Sequence, residues 1–161
     1  KLLLGRQCVL DAKFPIKTGI TCDIYTASFL GGEKVAKVFR LGMAEREYVE
    51  SYSKRFMRIA SLWYDFCSDY TLPFHGIGME AFEGTEHFQL YMVSPLMKNF
   101  NAMTYLRKYR KNVGTRKNIL RIITDAALGL QYLHNCRPYV AHSDMKGDNI
   151  LTTDSGGAVL G

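Results

Sequence analysis

His-Ser-Asp-Met-Lys-Gly-Asp-Asn, at residues 142–149, is the most informative stretch of this chain. It fits the pattern His-x-Asp-x-Lys-x-x-Asn, and the apolar pair Ile150-Leu151 follows at once. Four fixed positions in eight residues rarely arise by chance. The stretch therefore serves as the reference point for the rest of the chain.

The residues before this stretch predict a helix that leads into it. Apolar side chains recur at helical spacing over residues 119–133. Asn118 is placed to cap the start of this helix, and Pro138 to end it.

Length and composition indicate one compact domain, or one and a half small ones. The chain has 161 residues, of which 47% are hydrophobic, enough for a sizeable core. It contains no apolar run as long as a membrane span and no secretory signal peptide, so no membrane partner is expected. The first residue is Lys rather than Met, which suggests a piece of a longer protein.

The four cysteines are scattered and form no Cys-x-x-Cys pair, which favours reduced thiols in a cytoplasmic protein. The net charge of +6 raises the question of nucleic acid binding. The basic residues, however, cluster mainly at 107–111 and 116–117, a pattern typical of a solvated helix end and loop. No nucleic acid partner is expected.

Residues 142–149 and the helix before them resemble the catalytic-loop region of protein kinases. The resemblance covers the whole chain, and the sequence is most similar to tyrosine-kinase-like Ser/Thr kinases of fungi. Short motifs such as Val-Ser-Pro-x-Met, found here at residues 93–97, recur in these kinases. The resemblance implies an α+β fold with a complete small lobe, made of an antiparallel sheet and one long helix, and the start of a helical large lobe. The expected boundaries are 1–94 for the small lobe, 95–99 for the hinge and 100–161 for the large lobe.

The resemblance also implies roles for the loop residues. Asp144 would be the base that takes the proton of an attacking hydroxyl, and Lys146 would neutralise the transferring phosphoryl group. Asn149 would be a magnesium ligand, and His142 would shape the loop. A Lys two residues after the Asp is typical of Ser/Thr kinases. The implied activity is ATP-dependent phosphorylation of Ser/Thr hydroxyls on proteins, with ATP and Mg²⁺ as cofactors.

The small lobe would supply residues that bind the nucleotide. Residues 14–39 have a strand-like pattern, and Gly31-Gly32 could form a tight hairpin. The strand at 35–39 carries Lys37, which must reach solvent or find an anion. By resemblance, Lys37 would hold the α- and β-phosphates of ATP, although kinases usually have one more residue between the Ala and the Lys.

The residue pattern predicts further segments, and the resemblance assigns a role to the break after them. A long helix is expected over 44–66, a strand over 72–77, an acidic loop with Glu80, Glu83 and Glu86, and a strand over 89–93. The break at 94–99 would be the hinge. Ser94 would then be the gatekeeper, with Pro95 and Met97 along the adenine edge. A short helix over 103–109 would open the large lobe.

Three departures from the kinase pattern speak against activity. Only Gly19 remains of the glycine-rich loop, in the window 17–22, where β-branched Ile20 and Thr21 would stiffen the lid. Ile59 stands where the long helix should carry a Glu to pair with Lys37. The acids at 45, 47 and 50 lie on the wrong face or too far along the helix to replace it. The Asp-Phe-Gly motif that kinases carry next would lie beyond Gly161. The resemblance places further large-lobe helices there as well, and without them Ile122, Ala126 and Leu130 are expected to be exposed.

Other functions remain open at this point. One alternative is a pseudokinase or truncated remnant that acts as a protein-interaction module, with a protein partner in place of a protein substrate. A small-molecule phosphotransferase, acting on aminoglycosides or choline, is disfavoured by Lys146. A metal hydrolase built on His142, Asp144 and Asp148 would need a second ligand cluster. The oligomeric state is left open.

Overall fold

The computed structural model describes residue 4 and residues 7–19, 22–40, 46–81 and 88–161. The chain divides into two compact units. The first comprises Lys1–Phe66 and Pro73–Leu96, and the second comprises Cys67–Leu72 and Met97–Gly161. Among the described residues, no helix combines the length and apolar character needed to cross a membrane.

The first unit is an antiparallel sheet with one long helix, as expected. The sheet has six strands in the order β1-β3-β4-β6-β5, with β2 paired to β3 outside this path. Helix α1 (Arg46–Tyr64) connects β4 to β5. The strands are β1 (Cys8–Leu10), β2 (Lys17–Thr18), β3 (Cys22–Phe29), β4 (Glu33–Arg40), β5 (Gly76–Ala81) and β6 (Phe88–Pro95).

The expected tight hairpin joins β3 to β4. Gly31 and Gly32 both have positive φ, 88° and 144°, and follow Leu30 at 41°. Glycine takes up such angles without the Cβ clash that other residues meet. The turn closes where the Gly32 N–H donates to the Phe29 carbonyl at 3.2 Å, and it sets Phe29 opposite Glu33.

The two faces of this sheet carry different apolar clusters, because successive strand residues point to opposite faces and directly paired residues share a face. Helix α1 packs on one face, where its Phe56 and Ala60 meet Ile77 and Leu90. We call this the α1 face. The other face is here called the outer face, and its cluster comprises Leu4, Cys8, Ala27, Phe29, Val35, Phe39, Tyr91 and Val93.

The expectation of a strand over 72–77 followed by an acidic loop at Glu80 was wrong. The strand β5 begins at Gly76 and includes Glu80, which is paired with Gln89. Its two glycines, Gly76 and Gly78, weaken the strand signal in the sequence, but pairing with β6 overrides that local preference. Glu83 and Glu86 lie outside the described residues.

The second unit contains two helices and a small hairpin. Helix α2 spans Ala102–Tyr109, and helix α3 spans Thr115–Asn135. A 3₁₀ turn (Gly147–Asn149) leads into β7 (Ile150–Thr152), which pairs antiparallel with β8 (Ala158–Leu160). Ala102, Ile122 and Ala158 form the buried centre, and Tyr105, Leu106 and Ile150 pack against it.

Helix α3 begins earlier than the sequence suggested, and Asn118 is not its cap. The residue before the helix is Gly114, at φ 104°. The Thr115 hydroxyl donates to the carbonyls of Asn112 and Tyr109, at 2.7 and 2.9 Å. The Asn118 N–H already makes a helical bond to the Gly114 carbonyl. These contacts extend the helix by most of a turn over polar residues that the apolar stripe does not cover.

The expectation that Ile122, Ala126 and Leu130 of α3 are exposed was also wrong. Ile122 and Ala126 are buried, at 3% and 5% exposure, and Leu130 is half-buried. The large apolar side chains of this helix that are exposed are instead Ile119, Leu120 and Ile123, with Leu120 and Ile123 at 65% and 58%. The reason is that Ala102 and Ala158 pack against Ile122, so this side of the helix is buried and residues 120 and 123 face outward.

Gly129→Ala is expected to destabilise the protein. An added Cβ would lie 2.7 Å from the Tyr70 carbonyl oxygen and 2.8 Å from Leu160 Cγ. Alanine would gain about 1 kcal/mol of helix propensity, but overpacking against backbone costs about 1–3 kcal/mol, so the net change should be a loss. The measurement is urea or thermal unfolding of the variant beside Thr124→Ala, an exposed position on the same helix. A Gly129→Ala variant as stable as Thr124→Ala would contradict this packing.

Candidate active site

The loop at 142–149 is held in an unusual backbone conformation. Ser143 has φ 64°, in the left-handed region that costs a non-glycine residue on the order of 1 kcal/mol. His142 fixes the bend from both sides. Its Nδ1 accepts the Asp144 N–H at 3.3 Å, so the ring proton is on Nε2, which donates to the Gly161 carbonyl at 3.1 Å. His142 therefore acts as the scaffold that the sequence suggested.

Asp144, Lys146 and Asn149 meet at one carboxylate. Lys146 Nζ lies 2.9 Å from Asp144 Oδ2. The Asn149 side-chain amide donates to the same oxygen at 2.9 Å and to the Asp144 carbonyl at 2.8 Å. All three side chains that the sequence singled out in this loop are thus brought together, and the side chains of Asp144 and Lys146 are exposed to solvent.

These contacts shift the acidity of the pair. The hydrogen bond from Lys146, followed by that from Asn149, holds the pKa of Asp144 below its ordinary value. The hydrogen bond to Asp144 likewise raises the pKa of Lys146. A carboxylate and an ammonium, each favoured in its charged form, therefore stand side by side at the surface.

The orientation of Asn149 leaves its amide oxygen available. Both atoms that it contacts on Asp144 are oxygens, so the contacting group must be the NH₂. The Oδ1 atom is a neutral oxygen ligand of the type that Mg²⁺ accepts. Over the described ranges, no group of three or more His, Cys, Asp or Glu side chains gathers where it could hold a metal ion.

Asn101 is a site residue that the sequence reasoning missed. It is buried, and its Nδ2 donates to Asp148 Oδ1 at 2.8 Å while its Oδ1 accepts the Thr104 N–H at 2.9 Å. One side chain therefore caps α2 and holds the 3₁₀ turn that carries Asn149. An Asn just before a helix is a common cap, but its second partner lies 47 residues away and leaves no local signal.

Lys37 lies in the first unit and has found an anion. Its Nζ is paired with Glu80 Oε1 across the sheet, and its side chain is fully buried. The ammonium also lies 3.4 Å from the Cys8 carbonyl and 4.0 Å from the centre of the Tyr91 ring. The sequence reasoning considered only the acids at 45, 47 and 50 as replacements for the missing partner of Lys37, and it therefore missed Glu80.

The groups around Lys37 are shifted by the same environment. Burial raises the pKa of Tyr91 to about 12, with a further contribution from the charge of Glu80. Burial also raises the pKa of the Cys8 thiol, against the opposing charge of Lys37. Both groups are therefore neutral around the ammonium at physiological pH, which leaves Glu80 as its counter-charge.

The other residues expected to bind nucleotide are placed as follows. Gly19 is exposed, and its N–H donates to the Cys22 carbonyl at 2.9 Å across the turn between β2 and β3; Ile20 and Thr21 lie outside the described residues. Pro95 is the last residue of β6 in the first unit, so the strand extends two residues past its expected end at residue 93. Met97 belongs to the second unit, where its carbonyl accepts the Phe100 N–H. Ile59 on α1 is 44% exposed.

Comparison with known proteins assigns a family to this arrangement. A family model described as protein tyrosine and serine/threonine kinase matches residues 15–160, which is most of the chain. The match contains both Lys37 and the loop at 142–149.

Individual relatives agree with this match. A probable LRR receptor-like serine/threonine-protein kinase of Arabidopsis thaliana is 36% identical over 90 residues, covering 53% of this chain and 10% of the relative. A second protein with that description, from the same plant, is 50% identical over 50 residues, covering 30% of this chain and 6% of the relative. The probable serine/threonine-protein kinase roco7 of Dictyostelium discoideum is 24% identical over 136 residues, covering 83% of this chain and 5% of the relative. The chain therefore spans a tenth or less of the length of these relatives.

Lys146→Met is expected to raise the pKa of Asp144 toward its ordinary value, because it removes the largest cause of the depression. Titrating the carboxyl carbon of Asp144 by NMR would measure this. The matched control is Lys98→Met, since Lys98 is an exposed Lys of the same unit that pairs with Asp154 instead. The Asp144 titration should be unchanged in the control. An equal shift in both variants would mean that general surface charge, rather than the local bond, sets the acidity of Asp144.

Proposed function

The chain belongs to the protein tyrosine and serine/threonine kinase family, and we propose that it carries the catalytic loop of an ATP-dependent kinase acting on Ser/Thr hydroxyls of proteins. The observation that supports this most is the convergence of Lys146 and Asn149 on the Asp144 carboxylate. A hydroxyl nucleophile needs a nearby acceptor for its proton, and the exposed carboxylate of Asp144 is such a group.

Each loop residue would have a distinct task. Asp144 would accept a hydrogen bond from the substrate hydroxyl and take its proton as the hydroxyl oxygen attacks. The carboxylate of Asp144, whose pKa lies below its ordinary value, is ionised at neutral pH and can accept this hydrogen bond. Lys146, held 2.9 Å from that carboxylate, would place a positive charge beside the attacked phosphoryl group.

The residues of the loop fit the cofactors that the kinase family uses. Asn149 would hold Mg²⁺ through its amide oxygen, since its NH₂ is engaged by Asp144. Mg·ATP would supply the phosphoryl group and neutralise the charge that develops on it. On the hinge side, Pro95 and Met97 would line the adenine, and Gly19 would cover the phosphates.

A Ser/Thr hydroxyl is favoured over a Tyr hydroxyl on two grounds. Lys146 follows the base by two residues, a spacing that the resemblance to protein kinases links to Ser/Thr kinases. The relatives from Arabidopsis and Dictyostelium are described as serine/threonine-protein kinases.

A second function is favoured by the first unit: a pseudokinase that acts through protein contacts. Lys37 is already neutralised by Glu80, and the place expected for its helix partner is Ile59. Both observations mean that the Lys–Glu pair, which this family uses next to the nucleotide phosphates, is missing from its usual place. On this alternative, loop 142–149 would persist as a structural element without turnover.

Asp144→Asn in the full-length protein is expected to lower phosphoryl transfer about 10²–10⁴-fold, since it removes the proton acceptor and keeps the shape. The measurement is transfer of labelled phosphate from Mg·ATP to Ser and Thr of a generic protein substrate. Asp154→Asn, another exposed Asp of the same unit, should retain full activity.

The same assay separates the two functions. A wild-type protein that neither binds Mg·ATP nor transfers phosphate would rule out the kinase and leave the pseudokinase. Activity equal in wild type and Asp144→Asn would show that a contaminating kinase or another residue is responsible, and the assignment of Asp144 would be wrong.

A further inference from the structure

We propose that Lys37 is a structural cation of the outer face of the sheet, paired with Glu80, and that any nucleotide binding by this protein proceeds without it. The second half of this statement rests on the proposed function, because it concerns the ATP of a kinase. The first half does not, since it follows from the sheet alone.

The first argument is the face on which Lys37 lies. It shares a face with Val35 and Phe39 of its own strand and with Val93, its partner on β6. Those three residues belong to the outer-face cluster. Helix α1 packs on the opposite face, against Ile77 and Leu90. Lys37 therefore points away from the helix that should have carried its Glu.

The sequence explains this orientation. Kinases usually place one more residue between the Ala and the Lys of this strand, so that both side chains share a face. Here Lys37 follows Ala36 directly, and adjacent residues of a strand must point to opposite faces. Ala36 is paired with Ser94, and Val38 with Met92, a residue that packs with the α1 cluster. The middle of β4 thus presents Ala36 and Val38, without a charge, to the α1 face.

The second argument is that the ammonium is already saturated. It has three N–H donors, and they meet Glu80, the Cys8 carbonyl and the face of the Tyr91 ring. Tyr91 can lie there because its partner in the register is Gly78, where an added Cβ would fall 2.1 Å from the ring. Such a cradle for a fully buried charge is a built arrangement of several elements rather than a chance contact.

The third argument is that Lys37 cannot turn to the other face at low cost. Reversing its direction requires a one-residue slip of β4, which would also move Val35 and Phe39 out of the outer-face cluster and onto the α1 face. It would break pairing with both neighbours, β3 and β6. Glu80 would then lose its buried partner. The observed register therefore commits Lys37 to Glu80.

The first test is amine labelling of the wild-type full-length protein with an acetylating reagent, read by peptide mass spectrometry with and without Mg·ATP. Lys37 is expected to react about tenfold or more slowly than Lys34, the exposed Lys of the same strand, in both conditions. If Lys37 reacts as fast as Lys34 and becomes protected by Mg·ATP, the proposal is overturned.

The second test uses Lys37→Met and Glu80→Gln, with Lys34→Met as the matched control. Glu80→Gln leaves the buried ammonium of Lys37 without its counter-charge, and the melting temperature should fall by about 5 °C or more. Lys37→Met leaves only the partly exposed Glu80 without its partner, so its melting temperature should fall by less. Lys34→Met, which removes an exposed charge, should change it little. The double variant Lys37→Met/Glu80→Met should recover part of the loss. Lys37→Met and Glu80→Gln variants as stable as wild type would argue against the pair.

Mg·ATP affinity of the same variants completes the test. For Lys37→Met it should match wild type, whereas a tenfold loss of affinity with an unchanged melting temperature would assign Lys37 to the phosphates after all. A wild-type protein that binds no Mg·ATP would contradict the proposed kinase function. The labelling and melting results would still decide the Lys37–Glu80 pair, so the two failures can be told apart.

Discussion

The ion pair between Lys37 and Glu80 is the interaction on which the first unit depends. An ammonium that is fully buried without a counter-charge carries a heavy desolvation cost, so the sheet must bring an acid to it. The register does so across two strand pairings, from β4 to β6 and from β6 to β5, which place Lys37 and Glu80 on one face. Glu80 is 43% exposed, so the carboxylate keeps part of its hydration while the ammonium does not. Any slip of β4 would separate the pair, and the charge therefore fixes the register as firmly as the apolar pattern does.

In the second unit, hydrogen bonds rather than a buried ion pair hold the key residues in place. Loop 142–149 is held at its start by His142, at its 3₁₀ turn by Asn101, and at its end by the Gly161 N–H, which donates to the Asn149 carbonyl at 2.9 Å. All of these partners lie within the second unit. The convergence of Lys146 and Asn149 on Asp144 thus follows from contacts inside one unit. This explains how the loop can keep its geometry while residues of the first unit depart from the kinase pattern.

The sequence predicted those parts of the fold that are encoded locally. The hairpin at Gly31-Gly32, the long helix α1 and the loop around Asp144 are each specified by residues close together in the chain. The pair formed by Lys37 and Glu80 spans 43 residues, and Glu80 looked like one of three acids in a loop. The bond from Asn101 to Asp148 and the buried side of α3 were missed for the same reason. Each depends on which element packs where, and that is decided by tertiary contacts rather than by local pattern.

Two of the departures from the kinase pattern can be understood as one physical change. Once Lys37 directly follows Ala36, the strand sends its ammonium to the outer face, and β4 offers the α1 face only Ala36 and Val38 at its centre. With Lys37 on the outer face, a Glu at position 59 would have no Lys37 ammonium to pair with. Replacing that Glu by Ile59 therefore removes no further ion pair. The contacts described above that hold the loop at 142–149 lie within the second unit. The convergence of Lys146 and Asn149 on Asp144 therefore does not depend on the face of the sheet to which Lys37 points.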